Sequence, residues 1–469
     1  MIAKKYGFLF NCFAHRKEGI RMSQITIDLS LTFTIPDNDV TINSLIHGLK
    51  QSHNHINGTV ITTIMSAIEE RLIANMIEQN PGRYKRNGTQ PTTRMLHSCL
   101  GPIGYRFAQL IDTRAEKKRY IVPLKDYLNI PAHQRYLDEA LEPGIGLSVH
   151  VSFRRAAAET ERIRQTSMSH TTIHRRLQSL ADNNCPFSNL KDKQYRFLIV
   201  DGTKVHLQGP SGEDQGTVEM RWALASLGST PYRFEPVGFW IDTDWATIAT
   251  ELKQRLNYTT LEVLFSDGGP GIAENLLTPT MKHQRCQLHG KRDFPYLLYA
   301  DGAKKQQQEP FVNKLKSIAA MRLNKDALEK LRPEDRATVE TITSQTTQGF
   351  QELLEALDPK KYPRARAYIQ NLLEPVTTFL RWWLDTGEVI PLTTNNIESA
   401  FSQVCNRIKR VGRRWSEKGL LNWLKISFYK IFKPEQWNLL WFDRNQKIPL
   451  IHLVSIHASY SWSGAITKL

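Results

Sequence analysis

Apolar and polar positions change their rhythm several times along the chain, and each rhythm predicts a different element. "QITIDLSLTFTI" (Gln24 to Ile35) alternates, the period of a half-buried strand. "TVITTIMSAIEERLIANMIEQ" (Thr59 to Gln79) repeats its apolar residues every three or four positions, as an amphipathic helix does. Between Pro81 and Leu124, β-formers are broken by Gly and Pro turns and carry many cations. A small basic β-rich unit is expected there, with "RNG" as a hairpin signal.

From Phe153 to Ala181 the rhythm is helical again. An Ala-rich helix runs to about Gln165, "TSMS" breaks it, and Ser169 can N-cap a second helix. In that second helix Ile173 and Leu177 share one face, while His170, Thr171, His174 and Arg175 lie elsewhere. Two short helices with a tight turn and a basic outer surface form the helix-turn-helix pattern of DNA readers, though any α-hairpin is the plainer reading.

At Tyr195 the pattern turns to strands. "YRFLIVDG", "TVEMRWALASLG" and "YRFEPVGFWID" are three, then "DWATIATELKQRL" is a helix capped by Asp244. "LEVLFSDG" is a fourth strand, "PGIAENLL" a short helix started by Pro270, and "HQRCQLHG" (His283 to Gly290) a fifth strand. Three strands, a crossover helix, a strand, a helix and a strand predict an α/β fold with a mixed sheet. Lys304 to Asp385 is polar and helical throughout, an all-helical insertion, and "TTNNIESAFSQVCNRIKRVGRRW" returns to helix. The expected division is an N-terminal arm (1–57), a helix with the basic β-rich unit (58–150), the helix-turn-helix (151–190), a sheet domain (191–303 and 386–436) split by the insertion (304–385), and a C-terminal tail (437–469).

Composition narrows the partners. The 469 residues exceed one typical domain, and 41% are hydrophobic, enough for a sizeable core. Lys plus Arg (62) exceed Asp plus Glu (46), a balance of +16 that favours polyanions, nucleic acid first. Five scattered cysteines form no disulfide framework and fit a reducing cytosol. No apolar stretch reaches the ~18 residues of a membrane span, so no membrane partner is expected. The basic first 21 residues lack the apolar length of a signal peptide. Met22 opens a more ordinary start, so they read as an over-called start or a basic arm.

The chemistry sits at two strand ends. "LEVLFSDGGPGI" and "YRFLIVDGTKV" both run apolar into a carboxylate, Asp267 and Asp201, and then into glycine. A strand buried on both faces places polar function at its C-terminal end. If the two strands are neighbours, the carboxylates meet a few ångströms apart and repel, a conflict that a divalent cation removes. Glycine after each acid leaves room for a substrate backbone. The plainer reading is an Asp-Gly turn, twice. Glu398, in the first turn of the helix capped by Thr394 or Asn395, is the third acid, and complementing the helix dipole is its plainer role. Arg407, Lys409, Arg410, Arg413 and Arg414 follow at once, a cationic run suited to a phosphate backbone or simply a solvated face.

The order of "LIVDGTKV", "LFSDGGPGIAENL", "HQRCQLHGKRD" and "TTNNIESAFSQVCNRIKRVGRRW", with the lead-in "RYKRNGTQPTTRMLHSCLGPIGYRF", resembles the DDE transposases with a ribonuclease H-like core. More narrowly it is similar to the Mutator-type group of insertion-sequence transposases. The resemblance covers roughly Pro81 to Phe432; Met1 to Ile56 and Trp437 to Leu469 match nothing. It implies a ribonuclease H-like mixed sheet and a metal triad of Asp201, Asp267 and Glu398 holding two Mg²⁺ (or Mn²⁺) ions. It also implies DNA cleavage at transposon ends followed by strand transfer into target DNA. The partners implied are double-stranded DNA, both terminal repeats and target, and a second copy of the chain in a dimer or larger assembly on DNA. The setting implied is a cytoplasmic, nucleoid-associated protein. Thr172, His174, Arg175 and Arg176 are the candidate contacts to the terminal repeats, with Arg407, Arg410, Arg413 and Arg414 on the backbone. Cys286 and His289 match the short Cys/His element of the group. With His283 at the same spacing they invite a zinc reading, but no second pair lies near, and a local hydrogen-bonding or packing role fits better. Trp382 and Trp383 are offered either to a flipped base or, as is commoner for such a pair, to the core. The alternatives are a purely hydrolytic nuclease on the same fold, and an inactive, domesticated transposase that binds DNA.

Overall fold

The structure is a computed structural model. It describes residues 27, 31–32, 34 and 40–441, except 165, 185–186, 188–189, 229–232, 324–329, 395–400, 403 and 412–414. The strand expected over Gln24 to Ile35, and most of the C-terminal tail, lie outside the described residues. The chain is mixed α/β and divides into two compact units. One holds the described residues up to Ala140 with Glu161–Thr166; the other holds Leu141–Thr160 and the described residues from Ser167 on.

The first unit is a long helix over a small β-layer. Helix α1 (Ile42–Gln79) starts at a capping box in which Thr41 and Ser44 satisfy each other's backbone N–H. It therefore begins seventeen residues before the Thr59 expected from periodicity (59 − 42 = 17), and the division drawn at 57 falls inside it. Strands β1 (Tyr84–Thr89), β4 (Ala108–Asp112) and β5 (Arg119–Ile121) form one sheet, β2 (Arg94–Ser98) and β3 (Gly101–Tyr105) a second. Met65, Leu96, Ile103, Phe107 and Leu124 share their core. "RNG" is not a hairpin. It lies inside β1, where the register to β4 slips between Arg86 and Thr89 and Gly88 takes φ +66, the geometry of a bulge.

The second unit is built on one sheet. Its strands are β6 (Phe197–Gln208), β7 (Asp214–Ser226), β8 (Glu235–Ile241), β9 (Val263–Ser266) and β10 (Lys282–Arg285), in the order β10-β9-β6-β7-β8. The first three pair antiparallel; β9 lies parallel to β6, and β10 parallel to β9. The crossover from β8 to β9 is α6 (Trp245–Arg255), N-capped by Asp244 through Thr247 N–H at 2.8 Å. Leu198, Val200 and Leu264 bury one sheet face against Trp245, Ile248 and Leu252 of α6. On the other face Phe197 meets the edges of Phe265 and Trp382, and Trp222 stacks on Phe401 at 3.9 Å. Alternation along β6 sends odd and even residues to these two faces.

The short helix α7 (Ile272–Leu276) follows β9. The fifth strand stops at Arg285, and the rest of "HQRCQLHG" opens α8 (Gln287–Ala300), capped by Cys286. Helices α9 (Lys305–Ser317), α10 (Ala319–Arg322), α11 (Arg336–Ala356) and α12 (Pro363–Val376) then gather with α8 around Phe294, Leu315, Phe350 and Ile369. Trp382 and Trp383, on α13 (Thr378–Thr386), are buried, the commoner of their two readings. Earlier in the chain, α3 (Asp138–Ser148) and α4 (Phe153–Arg164) precede α5 (His170–Asn183), whose N-cap is Ser169 through Thr172 N–H at 3.1 Å. Ile173, Leu177 and Ala181 are the buried face of α5. That helix is fastened to α14 (Glu417–Phe432) by Asn422 Nδ2, which donates to Gln178 at 2.8 Å and Asp182 at 3.1 Å. The final described helix is α15 (Pro434–Trp441). Among the described residues no helix is long and apolar enough to cross a membrane.

Candidate functional site

The parallel register between β6 and β9 carries the site. Phe197 pairs with Val263, Leu198 with Leu264 and Ile199 with Phe265. Two more residues along, the same offset brings Asp201 level with Asp267 (201 − 197 = 267 − 263 = 4). Neighbouring strands lie about 4.8 Å apart, so the backbones of the two acids stand side by side at the end of the parallel pair. Val200 and Ser266 are buried, and both acids lie at the point where burial ends.

Local hydrogen bonds fix both carboxylates. Asp201 Oδ1 accepts from Gly202 N–H at 2.8 Å, and Asp267 Oδ1 from Gly269 N–H at 2.8 Å. Gly268 N–H turns back to Ser266 Oγ at 3.1 Å. Gly268 is left-handed, φ +85, and a Cβ there would stand 2.0 Å from Arg285 Nε. That nitrogen donates to the Asp267 carbonyl at 3.0 Å, and the guanidinium lies 4.6 Å from the centre of the Tyr368 ring. Gly268→Ala is therefore expected to displace Arg285 and cost about 2 kcal/mol or more. Urea unfolding of the variant beside wild type measures this.

Burial and hydrogen bonding shift the titration of the groups beside the acids. His283 Nε2 lies 2.8 Å from Ser266 Oγ; burial, with the Arg285 charge beside it, pushes its pKa down to about 4. Burial pushes the Cys286 thiol up, but hydrogen bonds from His289 and from Thr394 N–H (3.4 Å) outweigh it, and the thiol ends below its ordinary value. The same bond to Cys286 raises His289 against its own burial. Cys286 N–H also donates to the Ser266 carbonyl at 2.8 Å. Cys286 thus ties three segments together: the end of β9, the start of α8, and Thr394, which leads into the stretch holding Glu398.

Sequence reading missed Glu219 and Arg221. They stand on β7, paired in register with Lys204 and Gly202, and line a small pocket with Gly202, Trp245, Asp267 and Pro270. Arg221 pairs with Glu219 at 2.5 Å and lies over the Trp245 ring at 5.0 Å. Period-2 alternation placed "EMR" in a strand but could not show which β7 residues reach the level of Asp201. Lys409 was read only as part of a cationic run, yet its Nζ donates to Thr203 Oγ1 at 2.5 Å, two residues beyond Asp201.

The remaining candidates divide. Thr172 is half-buried and spends its hydroxyl near Ser169 Oγ, 3.0 Å away. His174, Arg175 and Arg176 are exposed on α5, with His174 edge-on to Phe153 at 5.1 Å. Arg410 is exposed. Arg407 is corrected: it is interior, 3% exposed. Its Nε donates to the carbonyl of Val151 at 2.9 Å, and the rings of Phe153, Trp415 and Trp423 surround the guanidinium at 4.7–5.8 Å. The helix widens into a π-turn over Arg407–Val411, which rotates Arg407 inward, so it serves packing and not a phosphate. Glu398, Arg413 and Arg414 lie outside the described residues.

Whether the site suits a metal is decided by its donors. Two carboxylates on one level are hard oxygen ligands, and Mg²⁺ is held by one or two such groups with water and phosphate oxygens completing its shell. The pair fits that demand. Among the described residues no group of three His, Cys, Asp or Glu is placed to hold a metal, so neither a zinc set nor the full acidic trio is assembled from them. The family described as Uncharacterised protein family (UPF0236) matches residues 35–218. That span contains Asp201 but ends on β7, before Glu219, Arg221 and Asp267. No curated protein matches the chain.

Proposed function

We propose that the chain cuts DNA and joins its strands, as a DDE transposase with a ribonuclease H-like core does. The observation that carries this reading is the parallel register of β6 and β9, which, carried two residues past its last pair, brings Asp201 level with Asp267. Counted from β6, one acid stands on the first strand and the other directly after the fourth, and a helical run follows, the order of the resemblance.

Asp201 and Asp267 would hold Mg²⁺ or Mn²⁺, which would supply Lewis-acid polarisation of a phosphodiester and of the attacking oxygen. The chain's own part is positioning and charge. Asp201 and Asp267 present oxygens held by Gly202 and Gly269 N–H groups, so their aim is preset. Gly202 and Gly268, with no side chains, let Glu219 and Arg285 pack close against the turns that follow the two acids. Lys409, exposed beside Thr203, puts a cation within reach of a phosphate next to the acids. Arg175, Arg176 and Arg410 extend the basic surface along which a duplex is held, and two DNA ends call for at least a dimer.

Joining separates this reading from a nuclease. A labelled duplex with a recessed terminal-repeat end and a free 3′-hydroxyl is incubated with a plasmid and Mg²⁺. The expected result is label covalently joined to the plasmid. Cutting without joining leaves a hydrolytic nuclease; DNA binding with neither leaves an inactive, DNA-binding transposase.

A further inference from the structure

Helix α8 leaves the acids with one face uncovered. Leu288, Arg292, Tyr296 and Tyr299 follow at steps of four, four and three residues and so make one stripe. Leu288 is 46%, Tyr296 69% and Tyr299 74% exposed, while Phe294 and Leu298 on the opposite side are fully buried in the helical core. The stripe is thus the outer side of a well-seated helix. It begins beside the site, since the N-cap of α8, Cys286, is bonded to Ser266, one residue before Asp267. From Leu288 to Tyr299 it runs about 16 Å. Exposed cations flank it along the chain, Lys282 before it and Lys304 and Lys305 after it. Of the two carboxylates near it, Asp293 is paired with Arg292 at 3.4 Å, and Asp301, the C-cap of α8, accepts from the backbone N–H groups of Arg364 and Ala365.

We propose that this face of α8 is a stacking track for unpaired nucleotides of the DNA strand on which Asp201 and Asp267 act. The proposal rests on the DNA-cutting reading above. Two rings interleaved with a guanidinium suit nucleic acid. Every base offers a π-face to a tyrosine whatever the sequence, and the flanking cations meet the phosphates. A duplex keeps its base faces covered by stacking, so the gain belongs to single-stranded or frayed DNA. A protein partner would meet a stripe with a single aliphatic anchor and cations flanking it along the chain.

The test uses the full chain, a fluorescent single-stranded oligonucleotide and a blunt duplex of the same sequence, read by anisotropy at fixed salt. Tyr296→Ala and Tyr299→Ala are each expected to weaken single-strand binding about fivefold to tenfold. Blunt-duplex binding should change less than about twofold. Tyr296→Phe and Tyr299→Phe should bind as wild type, because the ring stacks and the hydroxyl does not matter. Circular dichroism of all variants should be unchanged, since both rings lie outside the core. Wild-type affinity in the alanine variants overturns the track, as does equal weakening in the phenylalanine variants. A change in molecular mass of the alanine variants also overturns it, by making the stripe a protein interface. If wild type cuts duplex DNA and the alanine variants bind single strands as wild type does, the track alone fails. If wild type binds neither DNA, the DNA-cutting reading fails with it.

Discussion

Asp201→Asn and Asp267→Asn are each expected to slow DNA cleavage about a thousandfold or more while leaving the protein as stable as wild type. Asparagine keeps the Oδ1 that accepts from Gly202 N–H or Gly269 N–H, so the turn after each strand survives. What it loses is the negative charge that, on the proposed function, would hold a cation between the two acids. Removing one of two neighbouring like charges relieves repulsion in the metal-free protein, so the melting temperature should stay level or rise. Mg²⁺ should then raise the melting temperature of wild type and not of either variant, because only wild type binds the ion in its folded state. Rate lost with stability kept marks a functional pair; equal loss of both would make these carboxylates structural.

Arg407→Ala has the opposite signature. The guanidinium is enclosed by Phe153, Trp415 and Trp423 and bonded to the Val151 carbonyl, and burial lowers its pKa to about 10. Truncation leaves a cavity among three rings and removes the bond to that carbonyl, a cost of about 3 kcal/mol. Urea unfolding should show the midpoint falling while DNA affinity per folded molecule, and its dependence on salt, stay as in wild type. Arg410→Ala should do the reverse: unchanged unfolding, and a shallower slope of affinity against salt, as expected for a lost phosphate contact.

These two arginines, three residues apart, show what a sequence can and cannot disclose. A run of cations looks like a solvated or DNA-facing surface, and one-dimensional patterning has no means of sorting its members. The π-turn that carries Arg407 inward has no recognised residue signature. Strands were more legible. The apolar run into Asp201 and the one into Asp267 each predict a strand with an acid at its end, because burial on both faces writes itself as unbroken hydrophobicity. Ser169 and Asp244 were legible as caps for an equally local reason, a short acceptor placed ahead of a helical period.

The misses follow from context. The start of α1 carries Gly48, Asn54 and Gly58, which weaken any helical signal, and the capping box of Thr41 and Ser44 lies well upstream of the periodic stretch. "RNG" has hairpin chemistry, yet β1 continues through it as a bulge because β4 supplies a partner on both sides. "HQRCQLHG" is too short for its period to reveal where β10 hands over to α8. Glu219 and Arg221 enter the site only because β7 pairs with β6, a contact between strands that sequence order alone does not register.

The central claim is that Asp201 and Asp267 form one metal-dependent cutting centre. It is tested most directly by cleavage of a labelled duplex carrying the flanking terminal repeats, with wild type and Asp267→Asn side by side in Mg²⁺, in Mn²⁺ and in EDTA. The account predicts cut strands from wild type with either metal, none in EDTA, and none from the variant although it still binds the duplex. Cutting by Asp267→Asn at the wild-type rate, or binding without cutting by both proteins, would contradict it.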